Sequence, residues 1–114
     1  HEFTGVSNAM KDAGASTGQS GSSFATPFAS TSQPNELLFA YTYHDPGTTV
    51  SPGGGFTSLL DANGNLFTAY RIVSSAASYS YSGTLSATST ILTAEFYAFK
   101  GIVVPVGLQH FDAE

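Results

Sequence analysis

The segment ELLFAYTYH, Glu36–His44, decides the fold class because its side chains alternate as they do in a β-strand. Both faces of this strand are apolar near its start, which indicates a strand in the interior of a sheet with neighbours on both sides. One face carries Leu37, Phe39, Tyr41 and Tyr43, and the other carries Leu38, Ala40 and Thr42.

On both sides of this strand, the chain consists of short apolar or alternating runs separated by Gly, Pro, Asn and Ser. The dipeptide Asn63-Gly64 marks a tight hairpin turn between two such runs. No helical period stands out. We therefore predict an all-β fold, an antiparallel β-sandwich or jelly-roll-like domain of about seven to eight strands, over residues 1–101. Residues 102–114 are predicted to form an apolar C-terminal strand or tail.

Composition excludes two classes of partner. The 114 residues include three Lys or Arg and eight Asp or Glu, for a formal charge of -5. Binding to nucleic acid or to an anionic membrane surface requires clustered cationic side chains, which this chain lacks. No apolar run approaches the roughly 20 residues that span a bilayer. Few charges and many hydroxyl side chains are typical of extracellular proteins, so we expect an extracellular or cell-surface location, and the absence of cysteine rules out disulfides.

Three stretches resemble a β-sandwich module that is repeated in large secreted bacterial surface proteins. They read PNELLFAY (34–41), GGGFTSLLDANGN (53–65) and YRIVSSAASYSYSGTLSATSTILTAEFYAFKG (70–101). The opening HEFTGV is similar to an interior strand of that module. The resemblance implies a sandwich without a known catalytic site. It also implies that the module's N-terminal strands are absent and that the apolar tail is an addition to the pattern.

The leading functional expectation is a non-catalytic structural role without a cofactor. A sandwich that lacks a strand exposes unpaired backbone groups, and an alternating apolar segment of a neighbouring copy could pair with them. Such head-to-tail contacts between copies build filaments of an extracellular polymer. The donated strand would present one apolar face, made of Ile102, Val104, Val106 and Leu108.

The first alternative is a carbohydrate-binding or adhesive module. Aromatic rings stack on the C–H-rich faces of sugars. The same residues could instead form half-buried pairs between strands. The candidate platform consists of Tyr41, Tyr43, Tyr79 and Tyr81.

Three weaker motifs concern metals and covalent chemistry. A copper histidine brace, as in enzymes that oxidise polysaccharides, could use His1 and His44. A covalent Lys–Asn crosslink, of the kind found in some surface adhesins, would need an adjacent acid catalyst, and Lys100 is the only plausible lysine for it. The segment DANGN has oxygen side chains at calcium-loop spacing but is equally explained as a turn. Its candidate ligands are Asp61, Asn63 and Asn65.

Overall fold

The computed structural model describes residues 3–4, 6–101 and 112–113, and the side chains of residues 11–101. Over these residues the chain forms β-strands and no helix, and all strand pairs are antiparallel. The predicted all-β antiparallel sandwich is confirmed. The described strands are β1 (Phe3–Thr4), β2 (Val6–Ala25), β3 (Ala29–Ser30), β4 (Glu36–His44), β5 (Val50–Pro52), β6 (Thr57–Ala62), β7 (Leu66–Val73), β8 (Ser78–Tyr79), β9 (Ser82–Gly101) and β10 (Asp112–Ala113).

The main sheet has the strand order β2-β9-β4-β7-β6, with β5 also paired to β9. Strand β4 lies between β9 and β7, as its two apolar faces predict. Its register with both neighbours is continuous from Glu36 onward. Because directly paired residues of antiparallel strands lie on the same face of the sheet, this register fixes which side chains meet.

Strands β2 and β9 are each 20 residues long and contribute to both layers of the sandwich. The second half of β9 pairs with β4, whereas its first half pairs with β5 through Val50–Pro52. The register of β2 against β9 shifts on either side of Gly21, whose φ of 139° is open mainly to glycine. These irregularities bend the strand so that the sheet folds over its own inner face.

The hairpin between β6 and β7 is built on the predicted turn. Asn63 and Gly64 both have positive φ, 55° and 72°, and the Asn65 amide donates a 3.2 Å hydrogen bond to the Ala62 carbonyl. Two successive residues with positive φ define the type I′ turn, whose twist matches that of the flanking strands. The predicted hairpin turn at Asn63-Gly64 is therefore confirmed.

The core lies between the inner face of the main sheet and the layer formed by β5, the first half of β9 and the end of β2. Tyr81 is at its centre, with its ring 5.0 Å from Phe24 and 4.9 Å from Phe56. The buried cluster consists of Phe24, Leu38, Ala40, Val50, Phe56, Phe67, Ala69, Val73, Tyr81, Leu85, Leu92, Ala94, Phe96 and Ala98.

Two short sheets complete the described structure. Strand β3 pairs with β8, and β1 pairs with β10, so Phe3–Thr4 lies beside Asp112–Ala113 of the same chain. Of the predicted tail at 102–114, residues 102–111 and 114 fall outside the described residues, whereas Asp112–Ala113 forms β10. No helix in the described ranges is long and apolar enough to cross a membrane.

Candidate functional site

The outer face of the main sheet is lined with aromatic side chains from its three central strands. We call this surface the aromatic face. It is opposite the core, and none of its aromatic residues belongs to the buried cluster. Strand β4 supplies Phe39, Tyr41 and Tyr43, β7 supplies Tyr70, and β9 supplies Tyr97 and Phe99.

The strand register arranges these rings in rows across the sheet. Phe39 is paired with Tyr70 on one side and with Tyr97 on the other, which gives a row of three aromatic residues. In the next row Leu37 lies between Ile72 and Phe99. Adjacent strands are about 4.8 Å apart, so the side chains at directly paired positions are immediate neighbours on this face.

Exposure varies across the aromatic face. Tyr43 is 43% exposed, whereas the other five aromatic residues are half-buried. Ile72 and Leu66 on the same face are 38% and 37% exposed. A contiguous apolar surface of half-buried rings, with an exposed ring at Tyr43, is typical of an interaction surface.

Polar groups are interspersed among the rings. The Tyr41 hydroxyl donates a 2.5 Å hydrogen bond to Glu95 Oε1 on the neighbouring strand. This hydrogen bond to the carboxylate, together with partial burial, raises the pKa of Tyr41 to about 12. Glu95 also raises the pKa of Tyr97, and Lys11 Nζ lies 5.0 Å from the centroid of the Tyr97 ring. The face therefore combines aromatic surface with a carboxylate and phenol groups.

The structure separates the four tyrosines of the predicted platform. Tyr41 and Tyr43 share the aromatic face, as their spacing indicates. Tyr79 lies in the small sheet with β3, under Arg71, whose Cζ is 5.0 Å from the ring centroid. Tyr81 is fully buried, and its hydroxyl is hydrogen-bonded to Thr42. Tyr81 is therefore a core residue and is not available to a ligand.

The prediction that Tyr79 and Tyr81 belong to one platform is wrong, because the strand that would contain both residues is interrupted after Tyr79. Residues two apart share a face only within a continuous strand. Here β8 ends at Tyr79 and β9 begins at Ser82. Between them, the Tyr81 carbonyl accepts a hydrogen bond from the Thr26 amide, and the Tyr81 amide donates one to Thr26 Oγ1. This connection turns Tyr81 into the core.

His44 is buried, and both of its ring nitrogens contact oxygen atoms. Its Nε2 donates to the Asp61 carboxylate, 3.1 Å from Oδ2, and its Nδ1 lies 2.8 Å from Thr48 Oγ1. At 1% exposure the ring has little access to solvent. These contacts explain His44 as a structural residue that ties β4 to β6. His1, the other candidate copper ligand, lies outside the described residues.

The DANGN segment is the hairpin turn described above. Asp61 bonds to His44, while the Asn65 carbonyl accepts a 2.9 Å hydrogen bond from the His44 amide. The calcium candidates Asp61, Asn63 and Asn65 are thus accounted for by the turn and its link to β4. Among the described side chains, no group of three or more His, Cys, Asp or Glu could hold a metal ion.

The predicted assembly strand, with Ile102, Val104, Val106 and Leu108, lies outside the described residues. A donated strand of this kind would need a free sheet edge as its acceptor. Strand β2 is at one end of the main sheet, and no described strand pairs with its free edge. A long edge strand presents unpaired backbone groups and is a template for another strand.

Sequence reasoning placed Phe39 beside Tyr41 and Tyr43 but missed three members of the aromatic face, Tyr70, Tyr97 and Phe99. These three residues lie on β7 and β9, and the sequence pattern does not align those strands with β4. Alternation assigns a residue to a face within one strand, whereas the register between strands decides whether two such faces coincide. The sequence signal that could have found them is the shared alternation in LFTAYRIV and EFYAFK.

Comparison of the chain with protein-family models, with curated proteins and with solved structures finds no match. The resemblance to the repeated surface module remains an expectation from the sequence.

Proposed function

We propose that this chain is a non-catalytic module of an extracellular protein that binds a neutral polysaccharide on its aromatic face. The observation that carries the proposal is the row Tyr70, Phe39 and Tyr97, flanked by the exposed Tyr43 and by Glu95. Aromatic faces pack against the C–H-rich faces of sugar rings, and the phenol and carboxylate groups supply hydrogen-bond partners for sugar hydroxyls.

Charge favours a neutral ligand over an anionic one. The whole chain has three Lys or Arg, of which Lys11 lies over the Tyr97 ring and Lys100 is paired with Asp12. The third, Arg71, donates to the Gly54 carbonyl. A negatively charged chain with so few cations repels nucleic acids, acidic glycans and anionic lipids.

Affinity electrophoresis and pull-down on insoluble material would test the proposal. The probes are soluble neutral glucans in the gel, and cellulose and chitin particles in the pull-down. We expect the full chain to be retarded or retained by at least one probe, and Tyr43→Ala or Tyr97→Ala to weaken this retention. Phe28→Ala is the matched control, since Phe28 is 73% exposed but lies outside the aromatic face.

Two outcomes would contradict the proposal. One is the absence of retention by every probe. The other is concentration-dependent dimerisation in size-exclusion chromatography that Tyr43→Ala abolishes, because the aromatic face would then be an interface between two copies. Folding of each variant is checked by circular dichroism, so loss of binding is not confused with loss of structure.

A second candidate function is that of a structural subunit assembled by strand addition. It is favoured by the free edge of the 20-residue strand β2, which is rich in Gly, Ala, Ser and Thr. Small uncharged side chains leave backbone groups accessible to an added strand. The register shifts in β2 oppose this, because bulges twist an edge away from a partner.

Electron microscopy of negatively stained protein distinguishes the two functions. The full chain is compared with a variant that carries Val104→Lys and Val106→Lys in the sequence-predicted donor strand. Filaments that disappear in the variant would support strand addition. Dispersed particles in both samples would exclude it and leave the binding function.

A further inference from the structure

Three ionisable side chains from three adjacent strands meet at one end of the main sheet. Strand β9 lies between β2 and β4, and Lys100 of β9 is directly paired with Glu36 of β4. On the other side, Lys11 pairs with Phe99 and Ala13 with Ala98, so Asp12 is the extra residue of a β-bulge. A bulge re-aims a side chain relative to a regular strand.

The contacts position Asp12 next to the lysine. Asp12 Oδ1 is 3.8 Å from Lys100 Nζ, with the two side chains 8% and 28% exposed. The Asp12 carboxylate also accepts hydrogen bonds from Ser32, at 2.6 Å from its amide and 2.7 Å from its hydroxyl. The acid is therefore held in place by a loop as well as by its own strand.

An ion pair between Lys100 and Asp12 does not require a third ionisable group, yet Glu36 is buried beside it. Glu36 is 0% exposed, and its carboxyl group interacts with that of Asp12, which is itself ion-paired with Lys100. Burial and the neighbouring Asp12 raise the pKa of Glu36 to about 7. The interaction with Glu36, followed by the hydrogen bonds from Ser32, lowers the pKa of Asp12 to about 2. Burying a second carboxyl group lowers the stability of the fold, and an ion pair between lysine and aspartate forms without it.

We propose that Lys100 and Asp12 form an intramolecular amide bond, with Glu36 carrying the protons. The Lys100 ammonium gives one proton to the Asp12 carboxylate through Glu36, and the freed amine forms a bond from Nζ to Asp12 Cγ. Glu36 then moves a second proton from this nitrogen to the departing hydroxyl group. An ammonium and a carboxylate become an amide and one water molecule, and Glu36 ends in its starting state.

The geometry suits this reaction without a further reagent. The Lys100 Nζ atom lies 3.8 Å from Asp12 Oδ1, so the ion pair holds the amine beside the carboxyl group whose carbon it would attack. Burial of Glu36 excludes water from the proton path. It also raises the pKa of Glu36 to about 7, so that this side chain can both give and take a proton near neutral pH. The bond would fix the edge strand β2 to β9 in a chain that has no cysteine for disulfides.

Intact-mass spectrometry of the full chain is the first test. The expected mass is lower than that of the sequence by one water molecule. Lys100→Arg keeps the positive charge but cannot form the bond, so it should have its full sequence mass, as should Asp12→Ala. Glu36→Gln, which has nearly the same shape, should show most of the chain unreacted. Circular dichroism establishes that each variant is folded.

Trypsin then locates the bond. The chain has three tryptic sites, at Lys11, Arg71 and Lys100. The bonded chain is cleaved only at the first two, and fragment 12–71 remains joined to fragment 72–114. A folded wild-type chain with its full sequence mass and complete cleavage after Lys100 would overturn the proposal. Loss of water that persists in Lys100→Arg would overturn it too, since the water would then come from another reaction.

Discussion

Tyr41 of β4 and Glu95 of β9 are directly paired across neighbouring strands, and the Tyr41 hydroxyl donates its hydrogen to Glu95 Oε1. The pair places an ionisable group in the middle of an aromatic surface. A carboxylate that is fixed by a phenol presents its remaining oxygen lone pairs in a defined direction, which suits recognition of hydroxyl groups.

Replacement of this carboxylate should change the ionisation of its partner. Glu95→Gln removes the negative charge that opposes formation of the phenolate, so the pKa of Tyr41 should fall from about 12 toward its ordinary value of 10.0. Nuclear magnetic resonance of ring-labelled tyrosine measures the titration, with Tyr41→Phe to assign the signal. An unchanged Tyr41 titration would show that the hydrogen bond does not form in solution.

Rings of the aromatic face should contribute separately to sugar binding. For Tyr43→Ala and for Tyr97→Ala we expect roughly a tenfold loss of affinity each, about 1.4 kcal/mol, because each removes one stacking surface. Isothermal titration calorimetry with a soluble oligosaccharide of the retained glycan measures both losses. Phe28→Ala should bind as the wild type does, and an equal loss in this control would indicate a non-specific apolar effect.

The buried hydroxyl of Tyr81 should be needed for stability and not for binding. Tyr81→Phe leaves Thr42 Oγ1 without its partner in the core, which should lower the free energy of unfolding by about 1–3 kcal/mol. Adding Thr42→Val removes the orphaned group and should recover most of that loss. Urea unfolding of the two single variants and the double variant measures this. Additive losses would show that the two hydroxyl groups are not coupled.

Alternation within a strand predicted much of the fold, but it could not predict which faces meet. The interior position of β4 and the Asn63-Gly64 turn depend on local residues, and both were predicted correctly. The burial of Tyr81 depends on the break between β8 and β9, and no residue in the segment SYSYSG (78–83) predicts this break. Pairing of Asp12 with Lys100 joins positions far apart in the sequence and depends on a bulge in β2.

Gly83 should tolerate no side chain, although its backbone is extended. A Cβ at this position would lie 2.7 Å from Phe24 Cζ and 2.7 Å from the Ser51 carbonyl oxygen. Since the backbone oxygen cannot move easily, Gly83→Ala should destabilise the fold by about 1–3 kcal/mol. Gly18→Ala is the matched control, because a Cβ there meets no atom within 4 Å. Equal stability of the two variants in urea would contradict the close packing of β5 on β9.

Glu36 should make the free energy of unfolding depend on pH near neutrality. Its pKa is about 7 in the folded chain and 4.5 ordinarily, so between these values the folded chain holds a proton that the unfolded chain has released. The free energy of unfolding should therefore fall as pH rises through this window, by on the order of 3 kcal/mol in total. Asp12, whose pKa is lowered from 3.8 to about 2, affects stability only at lower pH.

Urea unfolding from about pH 5 to about pH 8 measures this slope. The comparison is made in a Lys100→Arg background, where the proposed amide bond cannot form and the positive charge is kept. Glu36→Gln in that background has no proton to lose at this position, so its free energy of unfolding should stay nearly constant over the range. An identical slope in both chains would place the titrating group elsewhere and would mean that Glu36 is not held protonated by its surroundings.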